Sequence, residues 1–245
     1  MPTPGRTPAP ALALNQVTHA YRTDGPPVLD RIDLTVAQGE FLCVLGASGS
    51  GKSTLLSLFG GLEHPSSGTV SLPSPRPALM FQEHALFPWL TAGGNVELAL
   101  RFGGLPKADR EAEARRLLAL VRLPDAYDRP VHELSGGMRQ RVALARALAQ
   151  GSRVLLMDEP FAALDTITRG VLHEVLLGIW EARGLTVVFV THQVPEAVRL
   201  ATRIVLLSSR PGRIAYGWRA GEAGADSTTI TARLREEIRR HAPAH

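Results

Sequence analysis

The chain has 245 residues, of which 44% are hydrophobic, a formal charge of +4 and a pI of 9.8. That length buries a sizeable core and accommodates one domain with an inserted subdomain, while no apolar run approaches the ~20 residues of a membrane span. The Pro-rich stretch 2–10 lacks the apolar core of a signal peptide, and the lone Cys43 cannot form an intrachain disulfide, so a soluble chain in a reducing, intracellular compartment is expected.

In chain order, residues 1–10 read as a disordered extension. Stretches 12–17 and 32–36 alternate apolar and polar positions as strands do, with the turn-rich Asp24-Gly25-Pro26-Pro27 between them. The apolar run 41–45 reads as a buried strand, with Cys43 as a small core residue, and it leads into a glycine-rich loop and a helix. A Pro/Ser-rich turn region covers 64–77, followed by a strand-like segment at 78–81. From 83 to 150 the pattern is helical, with apolar periodicity at 115–121 and 142–148. Residues 154–157 form a continuous apolar run, as in a parallel strand buried on both faces. Ile167, Val171, Leu172, Val175, Leu176 and Ile179 then fall on one helix face, and 185–190 and 204–207 supply strands alternating with helices. That alternation is the mark of a parallel sheet. Past Arg213 the chain reads as a short polar tail, with a helical pattern at 231–240.

The chemistry lies in three places. Gly46, Ala47, Ser48, Gly49, Ser50, Gly51, Lys52, Ser53 and Thr54 form a phosphate-binding loop between strand and helix. Its glycines let consecutive N–H groups converge on phosphate oxygens, Lys52 supplies a compact charge for the β- and γ-phosphates, and the Ser53 hydroxyl can ligate Mg²⁺. Only two lysines, Lys52 and Lys107, occur in a chain that otherwise uses arginine, which suggests that this position needs an ammonium. The strand at 154–157 ends in Asp158-Glu159, where α/β sheets place their ligands; Asp158 would hold Mg²⁺ and Glu159 would polarise water as a general base. Ser135, Gly136 and Gly137 open a helix and form a second anion-binding element.

With these motifs the chain resembles the ATPase subunits of ABC transporters, residues 134–138 resembling their signature motif, and the likeness runs from about Leu12 to Arg213. The resemblance implies an α/β fold: a P-loop NTPase (RecA-like) core at 11–82 and 151–215, an antiparallel β subdomain, an inserted α-helical signature subdomain at 83–150, and a tail at 216–245. It implies ATP and Mg²⁺ as cofactors and a head-to-tail homodimer, or a pair with a paralogue, in which each signature motif closes over the partner's γ-phosphate. Tyr21 sits where the family stacks an aromatic on adenine, the alternative being an ordinary half-buried strand tyrosine. Gln82 matches the glutamine that reaches Mg²⁺ and the attacking water, and His192 the histidine that contacts the γ-phosphate. Asp165 matches the loop crossing the dimer interface, and it is also placed to cap the helix that follows.

Within the family, Ala85-Leu86-Phe87-Pro88-Trp89-Leu90-Thr91, Asn95-Val96, the segment 161–165 with Thr168-Arg169, and the segment 206–214 resemble the nitrate/sulfonate/taurine importer ATPases. Phe87 and Trp89 beside a proline make an apolar knob suited to a permease helix; packing in the core of the helical subdomain is the alternative. The implied partners are transmembrane permease subunits and an extracytoplasmic substrate-binding protein, with the chain peripheral on the cytoplasmic face of the membrane. Three departures stand out: Gln193 where the family usually has Asp, a short 71–78 stretch, and the glycines of Ala92-Gly93-Gly94. The absence of a long C-terminal regulatory domain fits the assignment. The competing function is an ABC ATPase with a mechanical or scaffold role in another complex. Arginines interleave with carboxylates, as at 110–116, and no basic cluster is mixed with aromatics, so no nucleic-acid partner is expected. His19, His64, His84, His132 and His173 lack metal-ligand spacing, and no transition-metal site is expected.

Overall fold

The computed structural model describes residues 10–240, so the extension expected at 1–10 lies, but for Pro10, outside the described residues. Strands β1 (Leu12–His19) and β2 (Leu29–Val36) pair antiparallel, and their inward positions Leu12, Leu14, Val17, Ile32, Leu34 and Val36 are buried. β3 (Phe41–Gly46) is buried throughout and feeds helix α1 (Lys52–Phe59). The expected turn region at 64–77 contains a strand, β4 (Ser67–Ser71), which pairs antiparallel with β1. Its sequence is short and mostly exposed, so no apolar alternation betrays it. The short 71–78 stretch is the crossing from this three-stranded sheet to β5 (Ala78–Met80), at the edge of the larger one.

The inserted block is helical, as its periodicity indicates: α2 (Ala92–Phe102), α3 (Lys107–Leu120), a single 3-10 turn at Val131–Glu133, and α4 (Gly136–Leu148). The chain then returns to the sheet through β6 (Val154–Asp158), α5 (Thr166–Arg183), β7 (Thr186–Thr191), α6 (Val194–Leu200) and β8 (Arg203–Leu207). Strand order in the large sheet is β5-β6-β7-β3-β8 and then β9 (Ile214–Arg219), the last antiparallel to β8. The boundary placed at 215/216 therefore falls inside a strand. What read as a tail is an edge strand followed by α7 (Ser227–Arg240), whose Ile230 is fully buried.

Because β3, β6, β7 and β8 are parallel and central, both faces of the sheet need apolar cover, which explains their unbroken apolar runs. One face carries Phe41, Cys43 and Leu45 against the helical block, α5 and α6; the other carries Leu42 and Val44 against α1 and the small sheet. Along α5 the apolar stripe is shorter than its sequence suggests. Leu172, Val175, Leu176 and Ile179 are buried, but Ile167 is 82% exposed.

One of the two unusual glycines of α2, Gly93, has a packing cause. A Cβ on Gly93 would lie 2.3 Å from the Tyr127 ring, and the Gly93 N–H donates to the Tyr127 carbonyl at 2.8 Å. That ring cannot step aside, since the Arg115 guanidinium stacks 3.8 Å over it and its hydroxyl donates to Glu97. Gly93→Ala is expected to destabilise the protein by about 1–3 kcal/mol, the usual range for overpacking. Gly94→Ala, whose nearest new contacts are 3.4 Å away, should be tolerated. Urea unfolding midpoints of the two variants, side by side, test the difference.

Candidate functional site

Register sets the site. Asp158 lies level with Val190 of β7, and Val190 level with Val44 of β3, so Gly46, Asp158-Glu159 and Thr191-His192 emerge together at the carboxyl edge of three adjacent strands. From Gly46 the chain curls through Ala47, Ser48, Gly49 and Ser50, with the Ser50 N–H donating to the Ala47 carbonyl at 3.2 Å. Gly51 then starts α1 with φ at 92°. A side chain there would be strained in that left-handed conformation, and its Cβ would also meet Leu29 at 2.7 Å.

Lys52 is buried and folds back over the loop, its Nζ donating to the carbonyls of Gly46 at 3.0 Å and Ala47 at 2.9 Å. It stands 3.9 Å from Glu159 Oε1, an electrostatic contact and not a hydrogen bond. Burial pulls the Lys52 ammonium below its ordinary value, with Glu159 and then Asp158 opposing the shift. Burial pushes the Asp158 carboxyl up, although the hydrogen bond with Ser53 works the other way. The Ser53 hydroxyl and Asp158 thus form a paired set of oxygen donors suited to a hard divalent cation. Among the described residues no three His, Cys, Asp or Glu side chains are grouped to hold a metal ion.

Glu159 takes a left-handed backbone with φ at 42°, held by its N–H donating to the Val190 carbonyl at 3.0 Å. That turn aims its carboxylate at His192, with Oε2 2.8 Å from Nδ1. A non-glycine residue held in this region costs of order 1–2 kcal/mol, a strain commonly found at functional positions. Gln82 leaves the end of β5, beside β6, and is exposed. Tyr21 lies beyond β1, 62% exposed, its hydroxyl 2.9 Å from Thr54 Oγ1 and its ring edge-on to His19 at 5.0 Å. It is therefore not a half-buried strand tyrosine.

Ser135, Gly136, Gly137 and Asp165 form a second cluster, and among the described residues no hydrogen bond joins it to the loop at 46–54. Ser135 Oγ accepts from the Met138 N–H at 3.2 Å and caps α4; Asp165 caps α5 by accepting from the N–H groups of Ile167 and Thr168, each at 3.0 Å. The two helix starts abut, since a Cβ on Gly137 would sit 2.5 Å from Thr168 Cγ2, whereas Gly136 opens on free space.

The loop at 85–91 is held by Asn95. This fully buried side chain accepts from the Phe87 N–H at 2.8 Å and donates to the carbonyls of Phe87 and Thr91. Trp89 is 76% exposed, which removes it from the core of the helical block; Phe87 is half-buried, 5.4 Å from the Trp89 ring, and lines a mostly apolar cavity of about 680 Å³ with Leu62, Leu79, Phe81, Leu98 and Phe102. Sequence reasoning missed three polar side chains near the site. Buried Gln140 donates to the Pro160 carbonyl, just past Glu159. Arg146 donates to the His84 and Ala85 carbonyls, and Arg169 reaches Leu164 and Gln193. Their signal was a polar residue on a helix that otherwise packs inward.

Residues 29–162 match the ABC transporter family. The chain is 51% identical to the taurine import ATP-binding protein TauB of Sinorhizobium fredii, over 83% of this chain and 81% of that one. It is 45% identical to the protein of the same name from Chromobacterium violaceum, over 87% of each. Among solved structures it is similar to the dimeric form of MJ0796, a bacterial ABC transporter cassette, with a TM-score of 0.75, 33% identity, and coverage of 86% of this chain and 99% of that one. A post-hydrolysis dimer of the same cassette with ADP and Pi gives a TM-score of 0.74 at 32% identity, with the same coverage. The chain belongs to the ABC transporter family, as one of its ATP-binding, ATP-hydrolysing cassettes.

The desolvated carboxylate has a measurable consequence. An Asp held above its unfolded pKa weakens the fold wherever it is ionised: the deficit is absent below about pH 4, where both states are protonated, and complete once the pH passes the raised folded value. Asp158→Asn should therefore raise the melting temperature of the nucleotide-free protein at pH 7, with the gain shrinking as pH falls toward 4. Calorimetric melts across that range would show it.

Proposed function

We propose that this chain is the Mg²⁺-dependent ATPase of an importer for taurine, a related sulfonate or a small oxyanion such as nitrate, working as a two-fold pair on separate permease subunits. The observation that carries the chemistry is the convergence of Lys52, Asp158, Glu159 and His192 at the carboxyl ends of β3, β6 and β7. The transport class is supported by the relatives at 51% and 45% identity, whose names give taurine import.

ATP phosphates would lie on the backbone N–H groups of 47–54, with the Lys52 ammonium exchanging the Gly46 and Ala47 carbonyls for phosphate oxygens. Ser53, Asp158 and Gln82 would hold Mg²⁺, which when bound offsets the phosphate charge. Glu159 accepts the proton of the attacking water, and His192, already 2.8 Å from that carboxylate, contacts the γ-phosphate. Tyr21 offers its exposed ring to adenine. Ser135, Gly136 and Gly137 stand apart from this chain's own loop, so with Asp165 they serve the nucleotide of a second copy across an isologous interface. The open space at Gly136 and the exposed Ile167 suit burial against that copy.

No helix among the described residues is long and apolar enough to cross a membrane. The permease docks against Phe87 and Trp89, at the rim of the cavity that Phe87 lines with Phe102, on the cytoplasmic face; an extracytoplasmic binding protein delivers the substrate. Movement of a permease helix there would shift Gln82 and couple transport to closure of the ATP-bound pair.

Lys52→Ala should lose nucleotide affinity, whereas Glu159→Gln should retain it and lose on the order of 10²–10⁴ in turnover. ATP hydrolysis by Glu159→Gln at the wild-type rate would reject the carboxylate's role. With ATP, Glu159→Gln should also dimerise at about micromolar concentrations, read by light scattering. Trp89→Ala is expected to leave the free subunit's ATPase rate within a few-fold of wild type while weakening permease association by about 2 kcal/mol, measured by pull-down with the cognate permease.

A further inference from the structure

Two loops that carry proposed contacts to nucleotide and partner are tied together by one side chain. Arg169 lies in the second turn of α5, half-buried. One guanidinium nitrogen, Nη2, donates to the Leu164 carbonyl at 2.6 Å, in the loop just before Asp165; the other, Nη1, donates to the Gln193 carboxamide, just after His192. Leu164 and His192 belong to segments far apart in sequence, and α5 separates them along the chain. The guanidinium is a planar fork and bridges two acceptors at fixed spacing, which a lysine ammonium does not reproduce.

His192 is anchored on both sides. Before it, Thr191 donates its hydroxyl to Glu196 at 2.5 Å, and Glu196 is in turn 3.0 Å from His173 Nε2 of α5, all three side chains being buried. After it, Gln193 donates its N–H back to Thr191 Oγ1 at 3.0 Å and accepts from Arg169. The Thr191 side is part of the packed core, and the Gln193 backbone is tied to it, whereas the Gln193 side chain is met by Arg169. The Gln193 carboxamide oxygen accepts from the Arg169 guanidinium as a charge-assisted hydrogen bond.

We propose that Arg169 is a positioning residue that clasps the loop of Leu164 and Asp165 to the loop of His192, so that docking of a second copy on the first sets the histidine on the second. The proposal rests on the roles given above to Asp165 and His192.

The test uses the full-length protein and steady-state ATPase kinetics, with melting temperature as a check on folding. Arg169→Ala and Gln193→Ala should each lower kcat by about tenfold with KM within about twofold, the split expected when an interaction is lost only at the transition state. The double variant should be no slower than either single one, since both remove the same link. Arg169→Lys should fail to restore the rate, and Gln193→Glu, which retains an accepting oxygen, should recover most of what Gln193→Ala loses. Wild-type kcat in Arg169→Ala, additive losses in the double variant, or full rescue by lysine would each overturn the clasp. Should Arg169→Ala not fold, the Gln193→Ala and Gln193→Glu pair decides on its own: loss with recovery supports the clasp, and no loss overturns it. His192→Ala separates the two levels, because wild-type turnover in that variant refutes the role of His192 while the Arg169–Gln193 coupling is still read from the double variant.

Discussion

Everything at the site depends on the parallel register of β6, β7 and β3. Three strands running the same way, level at their carboxyl ends, bring Asp158-Glu159, His192 and the Gly46 turn within side-chain reach. The same arrangement removes water from Lys52 and Asp158, which disfavours the charged form of each, a cost that the phosphate and cation of the proposed reaction would offset. A site of this kind carries a stability deficit in its empty state. The apolar layers on both faces of the sheet, Phe41, Cys43 and Leu45 on one and Leu42 and Val44 on the other, offset it.

Around that fixed edge, the polar side chains that matter are those that cross between segments. α4 starts at the signature cluster, yet its Gln140 reaches the carbonyl after Glu159 and its Arg146 holds the carbonyls of His84 and Ala85. A single helix thereby contacts the Glu159 turn and the loop leading from Gln82 to Trp89. α5 does the same on its own side, with Asp165 capping its start and Arg169 joining two loops. Each of the two helices is thus hydrogen-bonded to loops that lie far from it in the chain.

In the proposed two-fold pair, the separation of the two clusters is what leaves one subunit's site incomplete. Ser135, Gly136 and Gly137 present a capped helix start with open space before it, while the phosphate loop lies elsewhere, served by its own helix start at Gly51. Two such helix starts on one chain, turned to different places, fit the proposed two-fold pair.

Much of this was legible in the residues themselves. The spacing of Gly46, Gly51, Lys52 and Ser53, the acidic pair after 154–157 and the Ser135-Gly136-Gly137 helix start are local patterns, because their chemistry depends on neighbours a few positions away. Buried parallel strands announce themselves as apolar runs for the same reason, and the helical block as a 3.6-residue period. The sequence was silent where pairing is non-local and exposed. β4, whose five residues are mostly solvent-facing, gave no alternation; β9 passed for a tail because an edge strand buries little; and Ile167 looked like core although it lies on the open rim of α5. Only the tertiary structure showed why Gly93 carries no side chain, since Tyr127 occupies that space, and that Gln193 is met by Arg169. Contacts between segments distant in the chain are set by how layers pack, and no local pattern encodes them.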